Sequence, residues 1–259
     1  MIIDCDVHNS WNSSQELLPY LQPYWRDVLA RGELPGGRDS FPHAHRPWLH
    51  PEGFMRTDAI PPGGGTPGSD YEFMRTQLLD RYDVEYAILG GDEGIEVSTL
   101  ANPHLASALA RAANDWMVQE WLPIDARLKG SVVVAPQDPS GAAEEIRRIG
   151  GHPDMVQVIV SSGSQRPYGD PVYWPMFHAA AEMGLPVAAH LGGQGGVNAN
   201  PTGNRPPQLL LGGARAALRD GHGPCREPYR ARGLREVAYV AVRAHRVRRG
   251  VAAGNPVAP

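Results

Sequence analysis

The chain has 259 residues, 42% hydrophobic and 20% charged, proportions ordinary for a globular enzyme with one substantial core. No apolar run approaches the roughly 18 residues a membrane span needs, and two cysteines, Cys5 and Cys225, make no disulfide framework. The start has no basic stretch followed by an apolar one, so no secretory signal is visible and a cytoplasmic location is the expectation.

The chain opens with Ile2 to Val7, read as a strand. Residues two apart on a strand share a face, so Asp4, Asp6 and His8 project together. Cys5, between them, reads as a small buried hydrophobe. A helix follows in "SSQELLPYLQPYWRDVLARG", capped by Ser13 or Ser14, interrupted by Pro19 and Pro23, and closed by Gly32. Residues 33–69 are rich in Gly, Pro and His and read as an irregular insertion. A helix over about 70–82 leads to a strand ending at Gly90, and a helix over about 102–122 carries Leu105, Leu109, Ala112, Ala113 and Trp116 on one face. A third strand ends at Ala135, and Asp138-Pro139 opens a helix closed by glycines. The fourth strand is "DMVQVIVSSG", followed by a helix from Asp170-Pro171 to Gly184. The fifth, "LPVAAHLGG", carries His190 at its C-terminal end.

Five almost continuously apolar strands alternating with helices describe parallel βαβ units buried on both faces. No glycine follows the first strand, which argues against a dinucleotide-binding sheet. Polar residues at the ends of the first and fifth strands suit a TIM-barrel-type (β/α)8 architecture of class α/β, present as about its first five strands. If those strands face each other across the lumen, Asp6, His8 and His190 meet. One carboxylate and two imidazoles form a three-ligand set for a divalent metal with an open position. Against this, a strand-end histidine often only packs or hydrogen-bonds, and Asp6 could serve a neighbouring loop. His43 and His45 read as solvated loop residues, and His50, His104, His152 and His178 have no convergent partner in the sequence. "SSGSQ" lacks the spacing of a nucleophile elbow. Trp11, Trp25 and Trp48 read equally as pocket lining or core.

The segments "IIDCDVHNSW", "ANDWMVQEWLPIDARLKGSVVVAPQDPSGAAEEIRRIG" and "PVYWPMFHAAAEMGLPVAAHLGG" together resemble the amidohydrolase-related family, over residues 2 to about 204. Its relatives include aminocarboxymuconate-semialdehyde decarboxylase and the hydroxybenzoate decarboxylases. The resemblance implies a distorted TIM barrel holding one divalent metal, zinc first and manganese as the alternative. It implies hydrolysis or nonoxidative decarboxylation of a small carboxylated aromatic or muconate-like acid. Many members carry D-x-H-x-H on the first strand; here Asp6 and His8 match, and Ser10 stands where the second histidine would be. Asp6-Val7-His8 fits the carboxylate-x-His version, and His190 matches the fifth-strand ligand. The family's catalytic histidine near strand six and aspartate after strand eight have no recognisable counterpart; His222, His245 and Asp220 lie in unrelated context. Such a site would be impaired by C-terminal truncation, and the competing reading is an inactive remnant or binding protein of the same fold.

Residues 1–204 form the barrel-like part, and residues 205–259 differ from it: 11 arginines against three acids, with no Lys, Phe, Trp, Ile or Met. This tail reads as a nucleic-acid arm, a disordered tail or an out-of-frame translation. The last is favoured, because codons for Gln208 to Ala214 can be chosen so that a one-base shift reads Ser-Tyr-Tyr-Leu-Glu-Val-His, and the chain has 23 arginines to one lysine. Nucleic-acid binding is disfavoured, since the arginines lack aromatic neighbours for stacking. No membrane partner is expected, and homo-oligomerisation stays open.

Overall fold

The computed structural model describes residues 2–31, 57–90, 92–190 and 196–198. His43, His45, His50, Trp48 and the arginine-rich segment 205–259 lie outside the described residues.

Five parallel strands form one sheet in the order β1-β2-β3-β4-β5: β1 Ile2–Val7, β2 Val84–Leu89, β3 Leu128–Val133, β4 Met155–Ser161 and β5 Val187–His190. This is the first-five-strand portion of a barrel. Among the described residues no helix is long and apolar enough to cross a membrane.

The helices begin where their caps dictate. Ser13 Oγ accepts from the Gln15 N–H at 3.2 Å and opens a 3-10 helix, Ser14–Tyr20, which contains Pro19. Pro23 then starts α1, Pro23–Arg31, so the expected interruption divides one helix into two. Asp70 caps α2, Tyr71–Met74, which widens into a π turn over Arg75–Leu79. Two short helical pieces that the sequence did not announce follow β2: α3, Asp92–Glu96, and a 3-10 turn, Val97–Thr99. Asn102 caps α4, Pro103–Trp116, whose predicted apolar face is buried to the last member; the helix ends in a second π turn, Met117–Trp121. Asp138 Oδ1 accepts from Gly141 N–H at 3.0 Å to open α5, Pro139–Ile149. Asp170-Pro171 opens a 3-10 turn that runs into α6, Trp174–Glu182. Gly184, at φ +67°, turns the chain into β5 in the left-handed conformation glycine tolerates.

The core lies between the sheet and these helices. Leu89, Leu109, Leu128, Val132, Ile146, Val158 and Met176 are all buried there. Trp11 belongs to it, edge-on to Trp116 with ring centroids 5.4 Å apart, and Trp25 packs against it half-buried. For these two tryptophans packing, not pocket lining, is the outcome.

Two expectations need correction. Cys5 is exposed rather than buried. Burial on both faces holds for β2, β3 and β4, but β1 and β5 are largely open. The reason is common to both: among the described residues β1 and β5 are the edge strands of the sheet.

The sheet is strongly curved. Four steps of about 4.8 Å would put β1 and β5 roughly 19 Å apart in a flat sheet. Instead the His8 and His190 rings, from the two edges, have centroids only 5.0 Å apart. That closure creates the site.

Candidate metal centre

Asp6 and His8 alternate along β1 and its C-terminal extension, while His190 is the last residue of β5. His8 Nε2 lies 3.2 Å from Asp6 Oδ1 and 3.2 Å from His190 Nε2, and His190 Nε2 lies 3.0 Å from Asp6 Oδ1. Among the described residues this is the one group of His, Cys, Asp and Glu able to hold a metal ion. His104, His152 and His178 do not join it. The Asp6 side chain is 63% exposed and that of His190 only 17%, so the site has a buried floor and an open side.

The triangle can be tested against metal geometry. Ligands bonded at about 2.1 Å lie roughly 3.0 Å apart at an octahedral angle of about 90° and roughly 3.4 Å apart at a tetrahedral angle of about 109°. The three observed edges, 3.0–3.2 Å, fall between those limits. Three lone-pair donors crowded this closely repel one another unless a cation, a metal or a shared proton, lies among them. His190 adds a second indication: its Nδ1 is buried and has no hydrogen-bond partner among the described residues, while its Nε2 points at the other two donors. The donor set, two imidazole nitrogens and one carboxylate oxygen, fits a divalent transition metal.

Asp4 shares their face, but its carboxylate turns back to accept from the Asp6 N–H at 3.2 Å. Ser10, two residues past His8, has left the strand. It is buried, donates its N–H to Gly68 O at 3.0 Å, and lines a cavity of about 390 Å³ with Tyr20, Tyr71, Trp116 and Glu120. No member of the triad lines that cavity. Burial and donation to the Glu120 carboxylate at 2.5 Å push the Tyr20 hydroxyl up to about 12.

Gly68 secures the His8 backbone. It sits at φ +85°, and a Cβ there would press on the His8 carbonyl oxygen. Gly68→Ala is therefore expected to cost about 1–3 kcal/mol. Urea denaturation measures this directly, and an unchanged unfolding free energy would refute the role.

Sequence reasoning missed a second group. Ser98, Ser161, Tyr168 and Asn198, all buried, form a polar network beside His190. A signal was present: "SSGS" places three serines at and beyond the C-terminal end of β4, where barrel function concentrates. Nucleophile spacing alone does not reveal this role.

The amidohydrolase family model matches residues 3–248, nearly the whole chain and beyond residue 204, where the resemblance by motif ends. The chain belongs to the amidohydrolase family. Curated relatives of this chain include the gamma-resorcylate decarboxylase of Polaromonas sp. (strain JS666), 26% identical over an alignment of 144 positions that covers 49% of this chain and 44% of the relative. That of Rhodococcus jostii (strain RHA1) is 29% identical over 131 residues, 47% of this chain and 40% of the relative. The chain thus spans less than half the length of these curated relatives. Among solved structures, an amidohydrolase from Mycobacterium avium subsp. paratuberculosis K-10 superposes with a TM-score of 0.55 at 20% identity, covering 86% of this chain and 66% of that one. That likeness concerns the fold.

Proposed function

We propose that this chain is a metal-dependent amidohydrolase-family enzyme acting on a small carboxylated aromatic or muconate-like acid, with nonoxidative decarboxylation favoured over hydrolysis. The observation that carries the reading is the triangle of Asp6 Oδ1, His8 Nε2 and His190 Nε2 at 3.0–3.2 Å. The two matched decarboxylases tilt the choice of reaction.

In this reading Asp6, His8 and His190 hold one zinc or manganese ion. When bound, such an ion acts as a Lewis acid that orients a substrate carboxylate or activates a water. The chain's own contribution is placement. β5 presents His190 from the buried side, and β1 presents Asp6 at the open rim, where a small anion has access. With an ion bound there, each histidine would offer its Nε2 lone pair and carry its ring proton on Nδ1, and Asp6 Oδ1, within 3.2 Å of both Nε2 atoms, would supply the negative charge.

The test combines two measurements on the full chain. Purified protein should carry close to one equivalent of zinc or manganese by mass spectrometry, and should release CO2 from 2,6-dihydroxybenzoate faster than a metal-stripped control. Protein that takes up no metal would defeat the reading. Protein that loads metal but releases no CO2 from hydroxybenzoates and hydrolyses no amide or ester analogue would favour the binding-protein alternative, which Ser10 in place of a second histidine supports.

A further inference from the structure

Among the described residues, His190 has none of the usual support of a metal-binding histidine. Such a residue generally donates its second ring N–H to a carboxylate or carbonyl, which fixes the ring; here Nδ1 is buried with no such partner among the described residues. Among the described residues its aim then rests on the backbone, so the fastening of the β5 end matters.

That fastening is a directed chain of hydrogen bonds. Ser161 pairs with His190 in the sheet register, and Ser162 N–H donates to His190 O at 2.7 Å. Tyr168 OH donates to Ser161 O at 2.7 Å. Ser161 Oγ gives its proton to Gly163 O at 2.5 Å, so in the 3.0 Å contact between Ser98 Oγ and Ser161 Oγ the donor must be Ser98. Ser98 Oγ in turn accepts from Asn198 Nδ2 at 3.2 Å, and Asn198 Nδ2 also donates to Gly163 O at 3.2 Å. The proton direction is thus fixed from Asn198 through Ser98 and Ser161 to Gly163. Ser98, Ser161 and Asn198 are 3%, 1% and 5% exposed, so each link acts in a medium where an unmade bond is costly.

We propose that Asn198 is a positioning residue for the metal centre. Its amide ties the chain beyond β5 to the segments that follow β2 and β4, and so holds His190 at the distance from Asp6 and His8 that one cation requires. The inference rests on the metal-binding reading above. It assigns to Asn198 no contact with metal or substrate.

The experiment measures zinc affinity of the folded full chain by competition with a chromophoric chelator, together with the visible spectrum of the cobalt(II)-loaded protein and the metal-free melting temperature. Asn198→Asp keeps the side-chain size but sets an acceptor against the Gly163 carbonyl, and Asn198→Ala removes the tie. Both should weaken zinc binding about tenfold or more and alter the cobalt band. Tyr71→Phe serves as the control: it loses the remote 2.7 Å bond to Asp125, and should lower the melting temperature while leaving zinc affinity within about twofold. If neither Asn198 variant folds, Ser98→Ala, which removes the middle link alone, should still weaken zinc about fivefold. Wild-type affinity in the folded variants, with zinc binding abolished in His190→Ala, would overturn the positioning role and leave the metal centre standing. A wild-type chain that binds neither zinc nor cobalt would overturn both.

Discussion

His190→Ala is expected to abolish stoichiometric metal binding while leaving the chain folded. The substitution deletes one of three donors that lie 3.0–3.2 Å apart. Even the loss of a group that only supports a ligand costs about 10–100-fold in affinity, so loss of the ligand itself should cost about 100-fold or more. His8 and Asp6 remain 3.2 Å apart on β1, yet two ligands from one strand cannot enclose an ion. Metal content after extensive dialysis should fall from close to one equivalent to a trace. Folding should survive, because His190 ends an edge strand and belongs to no part of the apolar core. Mass spectrometry and circular dichroism on the same sample check both halves. Retention of a full equivalent by the variant would place the metal elsewhere.

The second large effect is on stability. Asn114, fully buried on α4, binds the end of β3 with both ends of its amide. Nδ2 donates to Val133 O at 2.9 Å and to Glu145 Oε1 at 2.7 Å, and Oδ1 accepts from Val133 N–H at 2.8 Å. Asn114→Ala would leave a backbone donor and a backbone acceptor buried and unpaired, and would remove a partner from the Glu145 carboxylate. Each buried polar group so stranded costs about 1–3 kcal/mol, and partial relaxation brings the sum to about 2–4 kcal/mol. Glu145 itself keeps Arg148, whose Nη2 lies 2.6 Å from it and whose Nη1 lies 2.8 Å from Asp115. The residual charge therefore stays compensated, and the loss should not exceed that range. Chemical denaturation at neutral pH measures it. A loss below about 1 kcal/mol would mean that water enters and replaces the asparagine.

Most of the framework was legible because its signals are local. Asp138-Pro139, Asp170-Pro171 and Gly184 mark helix ends by chemistry that acts within three residues, and the structure places caps and the left-handed glycine there. The alternation Asp4, Asp6, His8 is equally local, and in the structure it leaves Asp6 and His8 side by side while Asp4 turns back to the backbone. What the sequence could not announce depends on the far neighbour. Cys5, inside the opening strand, reads as buried; only the sheet order shows that its strand is an edge. Ser10 continues the alternation on paper, yet the strand stops at Val7 and the serine turns to another cavity. Asn198 carries no periodic signal at all, because its partners, Ser98 and Gly163, are 100 and 35 positions away.

The two histidines of the triad are separated by 182 positions in the chain. Any cation shared by them clips together segments that an unfolded chain holds far apart, as a covalent crosslink would. Loading and folding then become a single equilibrium, and an ion present at about a hundred times its dissociation constant adds about 2.7 kcal/mol to the native state. The supply of trace metal in the growth medium would then govern how much intact protein a cell accumulates.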